Sequence, residues 1–61
     1  MKVNKSDILI DNENNEWHIT DASDIHNIEA YTLDGGGALF CLDKECSQYV
    51  GNKLRLKEIK G

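Results

Sequence analysis

Apolar and polar residues alternate over several short stretches of the chain, and the clusters between them are rich in turn-forming residues. DILI, residues 7–10, is made of strand formers, and EWHIT, residues 16–20, sets Trp17 and Ile19 on one face against His18 and Thr20 on the other. The intervening DNENN supplies Asp and Asn, which tolerate turn conformations and bond their own backbone, so this region reads as a hairpin. After the polar corner DASD, the segment IHNIEAYTL fits two periods. Ala22, Ile25, Ile28 and Tyr31 recur every third residue and would line a helix over 24–33, with Ser23 as cap and Gly35 as stop. As a strand, Ile28, Ala30 and Thr32 alternate against Glu29, Tyr31 and Leu33. The strand is the preferred reading, because β-branched and aromatic residues gather toward a glycine turn that leads at once into another apolar run.

That run, ALFCL at 38–42, has the continuous apolar character of a central strand covered on both faces. DKECSQYVG then opens on Asp43, a good cap, and closes on Gly51, which suits one tight helical turn. KLRLKEI, residues 53–59, alternates cleanly, predicting Leu54 and Leu56 inward and Lys53, Arg55 and Lys57 outward. Trp17, Ile19, Leu39, Leu54 and Leu56 are the expected core. Leu39 and Phe40 point to opposite faces of one strand, so one of them can lie outside it.

The order strand, strand, strand, glycine turn, strand, helical turn, strand resembles the SH3-like small barrels, including their Tudor-type and KOW-type variants, from about Asp7 to Ile59. SQYVG at 47–51 is similar to the tight turn before the last strand of true SH3 domains. The aromatic ALYDY-type stretch near the start of those domains is missing, so proline-rich peptide binding is not implied. A Tudor-like aromatic cage would draw on Trp17, Tyr31, Phe40 and Tyr49, although Gly35-Gly36 stands after Asp34 where that family has tyrosine-glycine. The expected fold is therefore all-β: an SH3-like barrel or a curled five-stranded antiparallel sheet, with one short helical turn before the last strand. The alternative is an α+β fold with a helix at about 24–33.

Length narrows the function classes. A chain of 61 residues makes a single small domain and buries only about 60 % of its unfolded surface, which leaves little interior for an enclosed substrate pocket. Dimerisation is one way for a domain this small to complete its core. The amino end carries no apolar run of signal-peptide length, and no eighteen-residue apolar run exists, so a cytoplasmic protein without a membrane partner is expected. The NKS tripeptide at Asn4 has no meaning without secretion. Two cysteines do not make the dense framework of a secreted mini-domain, and free thiols are expected.

The formal charge of −4 is unevenly spread: between Asp7 and Glu45 ten acidic residues face one base, Lys44, a local balance of −9. Such a field repels the phosphate backbone and favours a basic or neutral protein partner.

The candidate chemistry mostly yields to simpler readings. Gly35-Gly36-Gly37 is followed by ALFCL, with no lysine, hydroxyl or helical period, so it reads as a hairpin turn rather than a phosphate loop. Cys41, Cys46, His18 and His26 are zinc-type ligands, but a C-x4-C spacing and histidines on separate elements fit tetrahedral zinc poorly. A Cys46 or Cys41, His18 and Asp21 triple lacks an interior to hold it in register. The acids Asp21 with Asp24, and Asp43 with Glu45, read as solvated turns, and DNENNE lacks the central glycine and distal glutamate of a calcium loop. No catalytic residue, metal or cofactor is expected.

Two surface features remain. An exposed Phe40 beside Tyr31, with Trp17 and Tyr49, is the expected partner-binding patch. Lys53, Arg55 and Lys57 form a stripe that could follow nucleic-acid phosphates, or could guard an edge strand and pair with the acidic body. The resulting expectation is a small acidic, non-enzymatic interaction module, of a format that suits a bacterial or phage-type inhibitor or modulator of a host protein. Its alternative is a nucleic-acid-binding barrel that uses the basic strand.

Overall fold

Residues 2–57 are described by the computed structural model of the chain. Five strands form one antiparallel sheet: β1 (Ile8–Ile10), β2 (Glu16–Asp21), β3 (Ile28–Tyr31), β4 (Gly37–Phe40) and β5 (Arg55–Leu56), in the spatial order β4-β3-β2-β1-β5. The sheet is open, with β4 and β5 as its two edges, so the curled-sheet form of the expected all-β fold is the one adopted.

Both hairpins use the same loop. In the first, the Asp11 N–H donates to the Asn15 carbonyl at 3.2 Å and the Asn14 N–H to the Asp11 carbonyl at 3.1 Å. In the second, Thr32 N–H reaches the Gly36 carbonyl at 2.8 Å and Gly35 N–H reaches the Thr32 carbonyl at 3.2 Å. A three-residue loop of this kind requires a left-handed residue before the ladder resumes, and Asn14 (φ 65°) and Gly35 (φ 99°) fill that position. The triple glycine thus turns a corner. Gly36 also leaves room for the Thr32 hydroxyl, which would lie 2.6 Å from a Cβ there and instead accepts the Gly36 N–H at 2.9 Å.

The helix considered for 24–33 does not form. Asp24 caps a single turn, accepting the His26 N–H at 2.9 Å while its carbonyl accepts from Asn27 at 3.0 Å. From Ile28 onward burial alternates residue by residue, as a half-covered strand requires. The helical turn before the last strand is present but displaced. Residues 43–49 make two successive tight turns, and the short 3₁₀ turn spans Gly51–Lys53. Gly51 opens that turn rather than ending one, and the Tyr49 ring lies where its side chain would stand. The last strand begins at Arg55, two residues later than expected, and Glu58 and Ile59 lie outside the described residues.

The core comprises Leu9, Ile19, Ile28, Ala30 and Leu42, with Val3, Trp17, Ala22, Phe40, Val50 and Leu54 packed against it. Trp17 meets Phe40 edge to face, with ring centroids 5.3 Å apart, a favoured aromatic geometry. Two expected core residues are not in it. Leu39 is 64 % exposed and Leu56 41 % exposed. Both belong to edge strands, and β4 is an edge rather than the central strand its apolar run suggested, so the face bearing Leu39 has no covering layer.

Candidate interaction surface

Residues paired directly across antiparallel strands share a face. The pairings Trp17 with Leu9, and Ile19 with Ala30, place those side chains on the inner face, with Ala30 opposite Ala38 and Ile28 opposite Phe40. The pairings His18 with Tyr31, Tyr31 with Gly37, and Glu29 with Leu39 define the outer face.

This partition separates the four aromatic residues expected to act together. Phe40 is half-buried against Trp17 on the inner face, so the expected exposed Phe40 beside Tyr31 is replaced by Leu39 beside Tyr31. Tyr31 stacks on His18, with ring centroids 5.5 Å apart. Tyr49 packs over Gly51 and joins neither ring pair. The aromatic cage is therefore not assembled.

The outer face over β3 and β4 holds an open groove of about 540 Å³. Tyr31 and Leu39 flank it, and Gly37, opposite Tyr31, contributes no side chain to fill it. Glu29 brings a carboxylate, whose Oε1 accepts the Thr20 hydroxyl at 3.1 Å. Around the tip of the same hairpin Leu33 is 78 % exposed, while Tyr31 is 43 % exposed. The signal for this patch lies in the sequence as the phase of Leu39, opposite to Ala38 and Phe40, and in a β4 segment without one charge.

The basic stripe lies on the other edge of the sheet. Lys57 Nζ bonds the Glu16 carboxylate at 3.1 Å, and an Arg55 guanidinium N–H donates to Asn14 Oδ1 at 3.3 Å. Two of its three cations are thus engaged by the molecule's own surface.

The remaining polar residues mostly serve loops. Asp11 accepts the backbone N–H groups of Glu13 and Asn15 at 2.9 Å each, the Asn15 amide at 3.0 Å and the Trp17 indole N–H at 3.1 Å. Desolvation pushes its pKa up, but these donors outweigh it and hold the group at about 2. His26 Nε2 lies 2.7 Å from Asp43 Oδ2, and its Nδ1 lies 3.7 Å from Asp24 Oδ1. The hydrogen bond to Asp43 raises the imidazole pKa against an opposing desolvation. The Asp43 carboxyl is lowered in turn, first by the Glu45 N–H and then by His26. Cys41 is buried and Cys46 half-buried, both as thiols. Desolvation and the neighbouring Cys46 thiol push the Cys41 pKa up. Among the described residues, no group of three or more His, Cys, Asp or Glu side chains stands ready to hold a metal ion, and no helix is long and apolar enough to cross a membrane. Set against known proteins, the chain matches no family model, no curated protein and no solved structure.

Proposed function

We propose that this chain is a non-enzymatic protein-interaction module that binds its partner through the outer face of β3 and β4. The observation that carries this reading is exposed apolar surface on one hairpin: Tyr31 and Leu39 line an open groove, and Leu33 is exposed at the hairpin tip. Isolated exposed apolar residues are ordinary, whereas a contiguous patch rimmed by polar groups is characteristic of interaction sites. The −9 balance between residues 7 and 45 favours a partner with a basic contact surface and predicts association that weakens with salt. A modulator of another protein is the role that suits such a surface. Nucleic-acid binding through Lys53, Arg55 and Lys57 has less support, because Glu16 and Asn14 already engage two of these residues.

The test is capture from lysate of the native host on immobilised protein, with nuclease present and stepwise salt elution, for the native chain and a Tyr31→Ala/Leu39→Asp variant. A defined protein retained by the native chain, lost by the variant and released by salt is the expected result. Retention that vanishes with nuclease, or that the variant preserves, overturns the reading.

A further inference from the structure

The two edges of the sheet are built differently. Among the described residues the β5 edge is two residues long and carries Arg55, with Lys53 and Lys57 flanking it. Charged side chains and short length are the usual protection of an edge against pairing with other chains. The β4 edge, GALF, has four residues, no charge and no proline, and its register with β3 is unbroken from Tyr31–Gly37 to Ile28–Phe40.

The hydrogen-bond phase shows which backbone groups that edge leaves free. Hydrogen-bonded pairs alternate with non-bonded ones along an antiparallel ladder, and Thr32–Gly36 is a bonded pair. Ala38 and Phe40 therefore bond to β3, while Gly37, Leu39 and Cys41 turn their N–H and C=O groups outward. Cys41 confirms the direction, since its carbonyl accepts the Val50 N–H at 3.3 Å. The chain covers its own edge at Cys41 and leaves Gly37 and Leu39 open.

We propose that β4 accepts an extended, basic segment of a partner protein as a sixth strand, paired to Gly37 and Leu39, with a Lys or Arg side chain laid over Leu39 toward Glu29. Charge complementarity selects this occupant. Among the described residues Glu29 has no ion-pair partner, and it stands opposite another acid, Asp21, across the sheet. Asp21 is already satisfied by Ser23 and lies near Lys5, so Glu29 is the carboxylate left for an incoming cation. The long aliphatic stem of Lys or Arg suits a groove walled by Leu39 and Tyr31. A second copy fits less well. Two β4 edges would bring two acidic bodies together, and the β5 edge of a second copy is short, with Lys57 held by Glu16. This inference rests on the interaction-module reading and specifies its binding mode, strand addition.

The test uses the full chain made by chemical synthesis, with and without an N-methyl group on the Leu39 amide, and the Glu29→Gln variant. The probes are a Lys–Val alternating octapeptide and its Glu–Val counterpart. The expected result is that the Lys–Val peptide slows hydrogen exchange at Gly37 and Leu39, that N-methylation abolishes its binding, that Glu29→Gln weakens it severalfold, and that the Glu–Val peptide does not bind. If the N-methylated chain fails to fold, the Glu29→Gln comparison and the exchange pattern decide. Equal binding to the N-methylated chain, no binding at millimolar peptide, or Gly37 and Leu39 already protected by self-association overturns the proposal. A natural partner lost on Leu39→Asp but indifferent to N-methylation would keep the outer-face reading and sink strand addition alone.

Discussion

The indole N–H of Trp17 donates to the Asp11 carboxylate at 3.1 Å, joining the largest side chain packed on the core to the loop that turns β1 into β2. The same carboxylate holds three further donors from Glu13 and Asn15. One acid therefore shapes the loop and orients the ring that meets Phe40.

Acid should undo this link. Asp11 has a folded pKa of about 2 against an ordinary value of 3.8, so its contribution is complete above about pH 4 and is lost as the pH falls through about 2. Trp17 fluorescence should change over that window, and Asp11→Ala should remove the change and lower the thermal midpoint more than Asn12→Ala or Glu13→Ala does.

His26 titrates in the opposite sense. Its pKa is raised above 6.5 by Asp43, so the stability it contributes is full below pH 6.5 and is lost as the pH rises through the raised folded value. Asp43→Asn should bring the imidazole back toward 6.5, as followed by proton NMR of the ring, and should flatten the pH dependence of stability on the alkaline side.

Gly35→Ala and Gly37→Ala separate conformation from space. Neither added Cβ would meet an atom closer than 4.0 Å, yet only Gly35 has a positive φ, at 99°. Gly35→Ala should cost about 1–2 kcal/mol in urea unfolding, and Gly37→Ala should stay within about 0.5 kcal/mol of the native chain.

Ile28 and Leu39 should divide stability from binding. Ile28 is 1 % exposed in the core, and Ile28→Ala should cost about 2–5 kcal/mol, a large share of what a domain this small possesses. Leu39→Ala should leave the urea midpoint almost unchanged and weaken partner capture.

The two thiols should react at different rates. Cys41 is buried, with its pKa raised by desolvation and by Cys46, whereas Cys46 is half-buried. Because the thiolate is the nucleophile, an alkylating agent should modify Cys46 first, as peptide mapping by mass spectrometry would show.

Much of the fold is legible in the sequence wherever short-range rules govern it. Asp and Asn in DNENN, and Gly35-Gly36-Gly37, announce their hairpins through turn chemistry, and Ile28 to Tyr31 declare a strand by alternation. What fails is anything decided by the position of a strand in the sheet. The run ALFCL has the composition of a central strand, but composition does not say that β4 has only one neighbour, and so Leu39 and Phe40 exchange their expected roles. Leu56 alternates correctly and is still 41 % exposed, because it lies on an edge strand with a neighbour on one side. The candidate site suffers most, since a groove depends on which side chains a register places together. The pairing of Glu29 with Leu39 follows from the loop type at Thr32–Gly36, and the exposure of that pair follows from β4 having no outer neighbour.

The sheet order also separates three local pairings from one distant one. The pairings β1–β2, β2–β3 and β3–β4 join sequence neighbours, whereas β1–β5 must bring Leu9 to Leu56 and Ile10 to Arg55. That long loop closes at the highest entropic cost, and among the described residues it gains one short ladder, continued by the Lys57 N–H to the Ile8 carbonyl at 2.9 Å. Topology accordingly favours pairing within the β1–β4 meander before β5 docks. Until β5 pairs with it, β1 is the second bare edge of the meander, and the strand that covers it carries Arg55 between Lys53 and Lys57.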